Sequence, residues 1–161
     1  MPAGRYYLRI NNAPPGWTLP SAIWNGRDIS DLPFELDRDV SGVAITFTDR
    51  PSTLSGQVQN VSSAADASAT VLIFPADSGS WIDYGGFPRR LRAVRADKDG
   101  RFMAIGFPAG TYLVAAVAEE ASAEWQNPQT LKALARLATK ITLADGEARQ
   151  LDLTTVTVPP R

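Results

Sequence analysis

The chain has 161 residues, of which 44% are apolar and 20% charged, and its formal charge is −1. This composition allows one substantial core or two small ones and gives no net field for nucleic acid. Cysteine and histidine are both absent, which excludes disulfides, thiolate nucleophiles, histidine-dependent triads and the usual zinc and copper sites.

Taken along the chain, a strand is expected over 5–10, and Val43, Ile45 and Phe47 alternate with Ala44, Thr46 and Thr48 as a half-buried strand would. Val71 to Phe74 is a short apolar run, read as a strand buried on both faces. Leu91 to Ala96 is expected to pair, through an Asp99-Gly100 turn, with Arg101 to Ile105; Tyr112–Val117 and Thr139–Leu143 complete the strands. One helix is predicted over 129–138, with Asn127 as N-cap, Pro128 at the first position and Leu131, Leu134 and Leu137 as its apolar stripe. Trp125 is expected to staple that helix to a sheet, and Trp17 and Trp24 to lie in a core. No apolar run approaches the length of a membrane span.

A pattern recurs imperfectly. Gly4-Arg5-Tyr6-Tyr7-Leu8, then Pro14-Pro15-Gly16-Trp17-Thr18-Leu19, is matched by Asp99-Gly100-Arg101-Phe102-Met103-Ala104, then Phe107-Pro108-Ala109-Gly110-Thr111-Tyr112-Leu113. Each copy reads as a turn, a strand, a Pro/Gly corner and another strand. The expected organisation is therefore the C-terminal half of a module over 1–49, a complete module over 50–155 and an extension over 156–161.

Several stretches resemble the carboxypeptidase regulatory-like, or prealbumin-like (transthyretin-type), domains found in tandem in bacterial secreted and surface proteins. They are Leu54-Ser55-Gly56-Gln57-Val58, Ala69 to Pro75, Asp97 to Phe102, Pro108 to Leu113, Trp24 to Ile29 and Leu143 to Glu147. The resemblance implies an all-β fold of Greek-key sandwich modules with one short helix, located outside the cell, with no catalytic motif. The N-terminus, Met1-Pro2-Ala3-Gly4-Arg5, lacks the regions of a signal peptide, which fits either a cytosolic protein or a piece of a longer chain, and the half module favours the second.

Asp97-x-Asp99-Gly100 could offer oxygen ligands to a hard cation, but the remaining ligands of a calcium loop are missing, and a turn is expected. No metal or cofactor is expected. Asp28, Asp31 and Glu35 fall in a turn-rich stretch where solvation accounts for them. The loop from Gly79 to Arg90 concentrates rings and guanidiniums, and Trp81, Tyr84, Phe87, Arg89 and Arg90 form a candidate contact set for protein or carbohydrate.

The leading expectation is a structural subunit. A half module would leave the strand carrying Tyr6, Leu8 and Ile10 with an open edge. The C-terminal strand changes face after Leu153, bringing Val156 and Val158 to the other side, as suits a strand donated to a neighbouring copy. The expected partners are other copies, assembled as a polymer, or neighbouring domains of a longer chain. A ligand-binding or spacer domain of a surface protein is the alternative.

Overall fold

The computed structural model describes residues 2–81 and 89–157. Five short strands form first: β1 (Gly4–Tyr6), β2 (Thr18–Trp24), β3 (Arg27–Asp28), β4 (Phe34–Leu36) and β5 (Ala44–Thr48). β1 and β4 make a two-stranded antiparallel ribbon, and β3-β2-β5 make a three-stranded antiparallel sheet. The β2–β3 hairpin turns on Asn25 and Gly26 at φ 49° and 75°, the two positive values that a tight hairpin turn demands. Pro20, which has no N–H to donate, stands where the β2–β5 register shifts. Ala22, Ile29 and Leu36 are the buried apolar residues here, and Trp24 meets Phe34 edge-on at 6.0 Å.

The larger unit follows. Its strands are β6 (Thr53–Gln59), β7 (Ala69–Pro75), β8 (Arg92–Arg95), β9 (Arg101–Ile105), β10 (Gly110–Ala118), β11 (Thr139–Leu143), β12 (Ala148–Gln150) and β13 (Leu153–Val156), with helix α1 (Pro128–Leu134) between β10 and β11. One layer runs β9-β6-β12 and the other β8-β7-β10-β11, with β13 hydrogen-bonded to both β6 and β10. Leu54, Val58, Ile73, Phe102, Val114 and Ile141 belong to the core between the layers. The outer faces of β7 and β10 carry Leu72, Phe74, Leu113 and Val117, which pack with Trp81, Trp125, Leu131 and Leu134. β7 is thus covered on both sides, and this is why all seven of its residues are buried and its sequence runs apolar without alternation. Full burial of each such side chain is worth about 1.5–3 kcal/mol. The molecule is an all-β sandwich carrying one α-helix among the described residues.

The C-terminal strand changes partner within its own sandwich. Leu153 faces Val58 on β6, and two residues later Thr155 and Val156 face Ala116 and Val117 on β10. The change of side after Leu153 therefore has an intramolecular cause: Leu153 enters the inner core, while Val156 packs against the outer one. Gly56 makes room for this crossing, since an added Cβ would collide with the Leu151 carbonyl.

Four expectations are corrected. β9 pairs with β6, not with 91–96, and β8 pairs with β7. The Asp97 carboxylate accepts from the amides of Asp99 and Arg101 at 2.9 and 2.8 Å, and the Gly100 carbonyl accepts from Val58 N at 2.7 Å. The turn is thereby pinned to β6 and delivers β9 into the opposite layer. The first strand ends at Tyr6, because β4 offers only three residues to pair with. The helix is Pro128–Leu134. After it the chain tightens into bonds from Arg136 to Ala133 and from Leu137 to Leu134, which leaves Leu137 exposed. Asn127 does cap it, its side chain accepting from Gln129 N at 2.9 Å. Trp17 is 43% exposed rather than core, and Ile45 and Phe47 are 42% and 37% exposed.

Candidate functional site

The small N-terminal sheet and the sandwich meet at a polar clamp. Asp31 lies between two arginines, with one oxygen 2.7 Å from Arg89 Nε and the other 2.6 Å from Arg90 Nε. Arg89 also donates to the Leu19 carbonyl on β2, and Arg90 Nη1 donates to the Ala109 carbonyl at 3.0 Å. Asp31 belongs to the N-terminal segment and both arginines lead into β8, so one carboxylate fixes the junction. Its side chain is 16% exposed and each arginine's is 25% exposed, so the three are mostly shielded from water and from screening salt. Solvation therefore does not account for Asp31.

Asp28 serves locally. It accepts from the Ser30 hydroxyl at 2.6 Å, from Ser30 N at 2.9 Å and from Ala22 N at 3.3 Å. Burial acts to raise its pKa, but the hydrogen bonds from Ser30 and Ala22, helped by the nearby Arg89 charge, outweigh it and hold the carboxyl below its ordinary value. On the sandwich side, Tyr112 donates to the Pro108 carbonyl at 2.6 Å and accepts from Arg90 Nη1 at 3.2 Å. Its phenol is pushed up to about 12, chiefly by burial. Arg92 donates to the Ile105 carbonyl at 2.7 Å and stacks on Phe107 at 4.8 Å from the ring centroid. Burial, with a contribution from Arg89, lowers its pKa from the ordinary guanidinium value.

Beside the clamp is a cleft of about 720 Å³. Tyr7, Leu8, Ile10, Trp17, Leu19 and Leu32 supply apolar surface, and Arg9, Arg89, Arg90, Arg92, Asp28 and Asp31 supply charge. The Arg89 Nη2 atom is buried without a hydrogen-bond partner.

The sequence-predicted contact set is divided. Arg89 and Arg90 meet at the clamp. Trp81 is core: it is 7% exposed, lies edge-on to Phe74 at 5.8 Å, and its indole N–H donates to the Pro75 carbonyl at 2.8 Å. It is therefore not a surface contact. Tyr84 and Phe87 lie outside the described residues. Of the predicted assembly residues, Tyr6 pairs opposite Phe34 on β4, Leu8 and Ile10 line the cleft, Val156 pairs with Val117 of its own chain, and Val158 lies outside the described residues. Asp31, Trp17 and Arg92 were missed as site residues. Proximity of Asp31 to two arginines 58 and 59 positions away has no local signature in the sequence.

β5 forms an edge of the small sheet and, among the described residues, pairs only with β2. Ala44 to Phe47 are exposed and Thr48 is half-buried. On the sandwich, edge strand β9 leaves Met103 61% and Ile105 47% exposed.

No family model matches the chain, and no curated protein matches it. Solved structures of low similarity do. A streptococcal ancillary pilin is 15% identical with a TM-score of 0.44, over 96% of this chain and 45% of that one. A candidate carbohydrate-binding protein from Pseudomonas aeruginosa is 16% identical with a TM-score of 0.39, over 65% of this chain and 88% of that one. Chlorocatechol 1,2-dioxygenase from Pseudomonas putida is 10% identical with a TM-score of 0.40, over 66% of this chain and 61% of that one. None of these is similar enough to bring a function with it.

Proposed function

We propose that the chain is a non-catalytic structural module that associates with other copies of itself through the open edge of β5. The observation that carries this reading is the segment Ala44-Ile45-Thr46-Phe47-Thr48. It is a run of β-branched, aromatic and small residues without charge or proline, on a sheet edge, with its two large apolar side chains exposed. Edge strands are ordinarily blunted by charge, proline or a bulge, because bare backbone donors and acceptors recruit another strand. Here the charges and the proline stand just outside the strand, at Asp49, Arg50 and Pro51. Strand complementation thus moves from the chain ends, where the sequence suggested it, to β5.

The clamp at Asp31 serves the same reading, since an edge transmits force only if its sheet is fixed to the rest of the molecule. Asp28 and Asp31 are engaged in hydrogen bonds and ion pairs, and the sequence offers no histidine or cysteine, which favours a non-catalytic role. Pairing β5 of one copy with β9 of the next would be heterologous and would build a ring or, where the rotation does not close, an open filament; pairing β5 with β5 would close a dimer. The division at residues 49 and 50, and an extracellular or cell-surface setting, belong to this proposal and rest on the sequence pattern and its resemblance.

The test is light scattering and negative-stain electron microscopy across a range of concentrations, on the natural chain and on the Ile45→Lys/Phe47→Lys double variant. Concentration-dependent oligomers or filaments that disappear in the double variant, with its melting temperature retained, are expected. A natural chain that is monomeric throughout, or a double variant that assembles equally well, would overturn the reading.

A further inference from the structure

The cleft at the junction holds more cationic than anionic side chains among its described residues. Among the described lining residues, apart from Arg9, the three guanidiniums of Arg89, Arg90 and Arg92 share two carboxylates, those of Asp28 and Asp31. Asp28 is already occupied by Ser30 and Ala22. Asp31 gives one oxygen to Arg89 and one to Arg90. Arg92 donates to the Ile105 carbonyl, a neutral acceptor. A guanidinium kept from water gains more from an anion than from a carbonyl, because charge-assisted hydrogen bonds are roughly twice as strong as neutral ones.

The second observation is independent of charge counting. Arg89 spends Nε on Asp31 and Nη1 on the Leu19 carbonyl, while Nη2 is sealed from solvent with no acceptor. A buried donor without a partner costs about 1–3 kcal/mol, so native structures rarely keep one without a use. The third observation is the apolar part of the lining. Leu8, Ile10, Trp17 and Leu19 present apolar surface to the same cleft, and Trp17 stays 43% exposed rather than entering a core. A volume of about 720 Å³ is that of a small-molecule site, and a mostly apolar wall with a few fixed polar groups is how such sites are built.

We infer that this cleft binds a small organic acid, its carboxylate held by the guanidiniums of Arg89 and Arg92 and its apolar body laid against Trp17 and Leu19. The acid group can belong to a free carboxylic acid or to the C-terminus of a peptide, since both present a planar carboxylate beside an apolar group. An anion here would give Arg92 a charged acceptor, and Arg89 Nη2 would find its partner once the guanidinium turns toward the cleft. The inference does not rest on assembly through β5, none of whose residues lines the cleft.

The test is isothermal titration calorimetry and nitrogen-15 chemical-shift mapping on the whole chain. The probes are 3-phenylpropionate, its neutral amide, and a tetrapeptide ending in Phe with a free carboxylate. The expected result is saturable binding of at least one acid, at least tenfold tighter than the amide, weakened by added salt and with shifts centred on Trp17, Leu19 and Arg92. Tighter binding of the tetrapeptide than of 3-phenylpropionate would assign the source as a peptide end, and the reverse order a free acid. Arg92→Gln should lose at least tenfold in affinity. Because Arg92 also packs on Phe107, Trp17→Ala, at an exposed position, provides the second variant and should likewise weaken binding while the melting temperature is unchanged. Ile45→Lys/Phe47→Lys should bind as the natural chain does, so loss of assembly and loss of ligand are separable. Equal affinity for acid and amide, or no binding of either acid, would overturn the inference.

Discussion

The N-terminal segment and the sandwich are built from the same kind of pieces and reach different outcomes. Both contain a strand, a Pro/Gly corner and a second strand with an antiparallel partner: β2 lies against β5 as β10 lies against β11. In the sandwich, β10 has β7 on its other side and a second layer below, and six of its nine residues are buried. In the N-terminal segment, β2 has only the two-residue β3 beyond it, and Ala22 is its single fully buried residue. A strand becomes core by having both faces and both edges covered, not by its own composition. What the small sheet lacks in hydrophobic cover it replaces with polar attachment, through Asp31 and the two arginines.

Large-to-small substitutions should show that difference most strongly. Phe74→Ala removes a fully buried β7 ring from the outer core, where it meets Trp81, and should cost about 3–5 kcal/mol, lowering the melting transition of the whole sandwich. Ile29→Ala, at 3% exposure in the small sheet, should leave that transition nearly in place and release only the N-terminal segment to protease. Equal shifts of the main transition would mean that the two regions fold as one cooperative unit.

A sharper cut goes through the clamp. Asp31→Asn keeps the shape but removes the charge that both arginines engage, at a cost of about 2 kcal/mol, the range for hydrogen bonds to a charged group. Hydrogen exchange at β2 amides should accelerate roughly thirty-fold on that figure, while β7 amides keep their protection. Unchanged exchange at β2 would show that apolar contacts alone hold the small sheet.

The smallest expected effect is on acid stability. Asp28 has a folded-state pKa below its ordinary value, so its contribution is present above about pH 4, the unfolded value, and is lost as pH falls through the folded one. Asp97, at the sandwich corner, is also depressed, chiefly by the backbone hydrogen bond from Arg101. Nuclear magnetic resonance titration should therefore find both carboxyls titrating below ordinary aspartate, with Ala22 and Ser30 amides responding to Asp28. Titration of Asp28 at or above the ordinary value would show that burial outweighs its hydrogen bonds.

Much of the fold was legible because its signals are local. Val71 to Phe74 declared a doubly covered strand by its unbroken apolar run, Asn127-Pro128 declared a helix start, and Asp99-Gly100 declared a turn. Asn25-Gly26 carries an equally local hairpin signal, and both residues take the positive φ that such a turn demands. The partner across the Asp97–Gly100 turn was misread for a physical reason. Turn residues set the local backbone, but the hydrogen bond from Val58 to Gly100 decides which layer the outgoing strand joins.

By itself, the sequence determined the kind of elements, the absence of cysteine and histidine chemistry, and which strand lies deepest, because backbone preference and hydrophobic period act over a few neighbouring residues. Tertiary structure alone decided that the C-terminal strand is shared between its own two layers, that Trp17 faces a cleft while Trp81 is core, and that Asp31 joins residues nearly sixty positions away. Those outcomes depend on which surfaces meet once the chain has closed, and pairing between distant segments leaves no period in either of them.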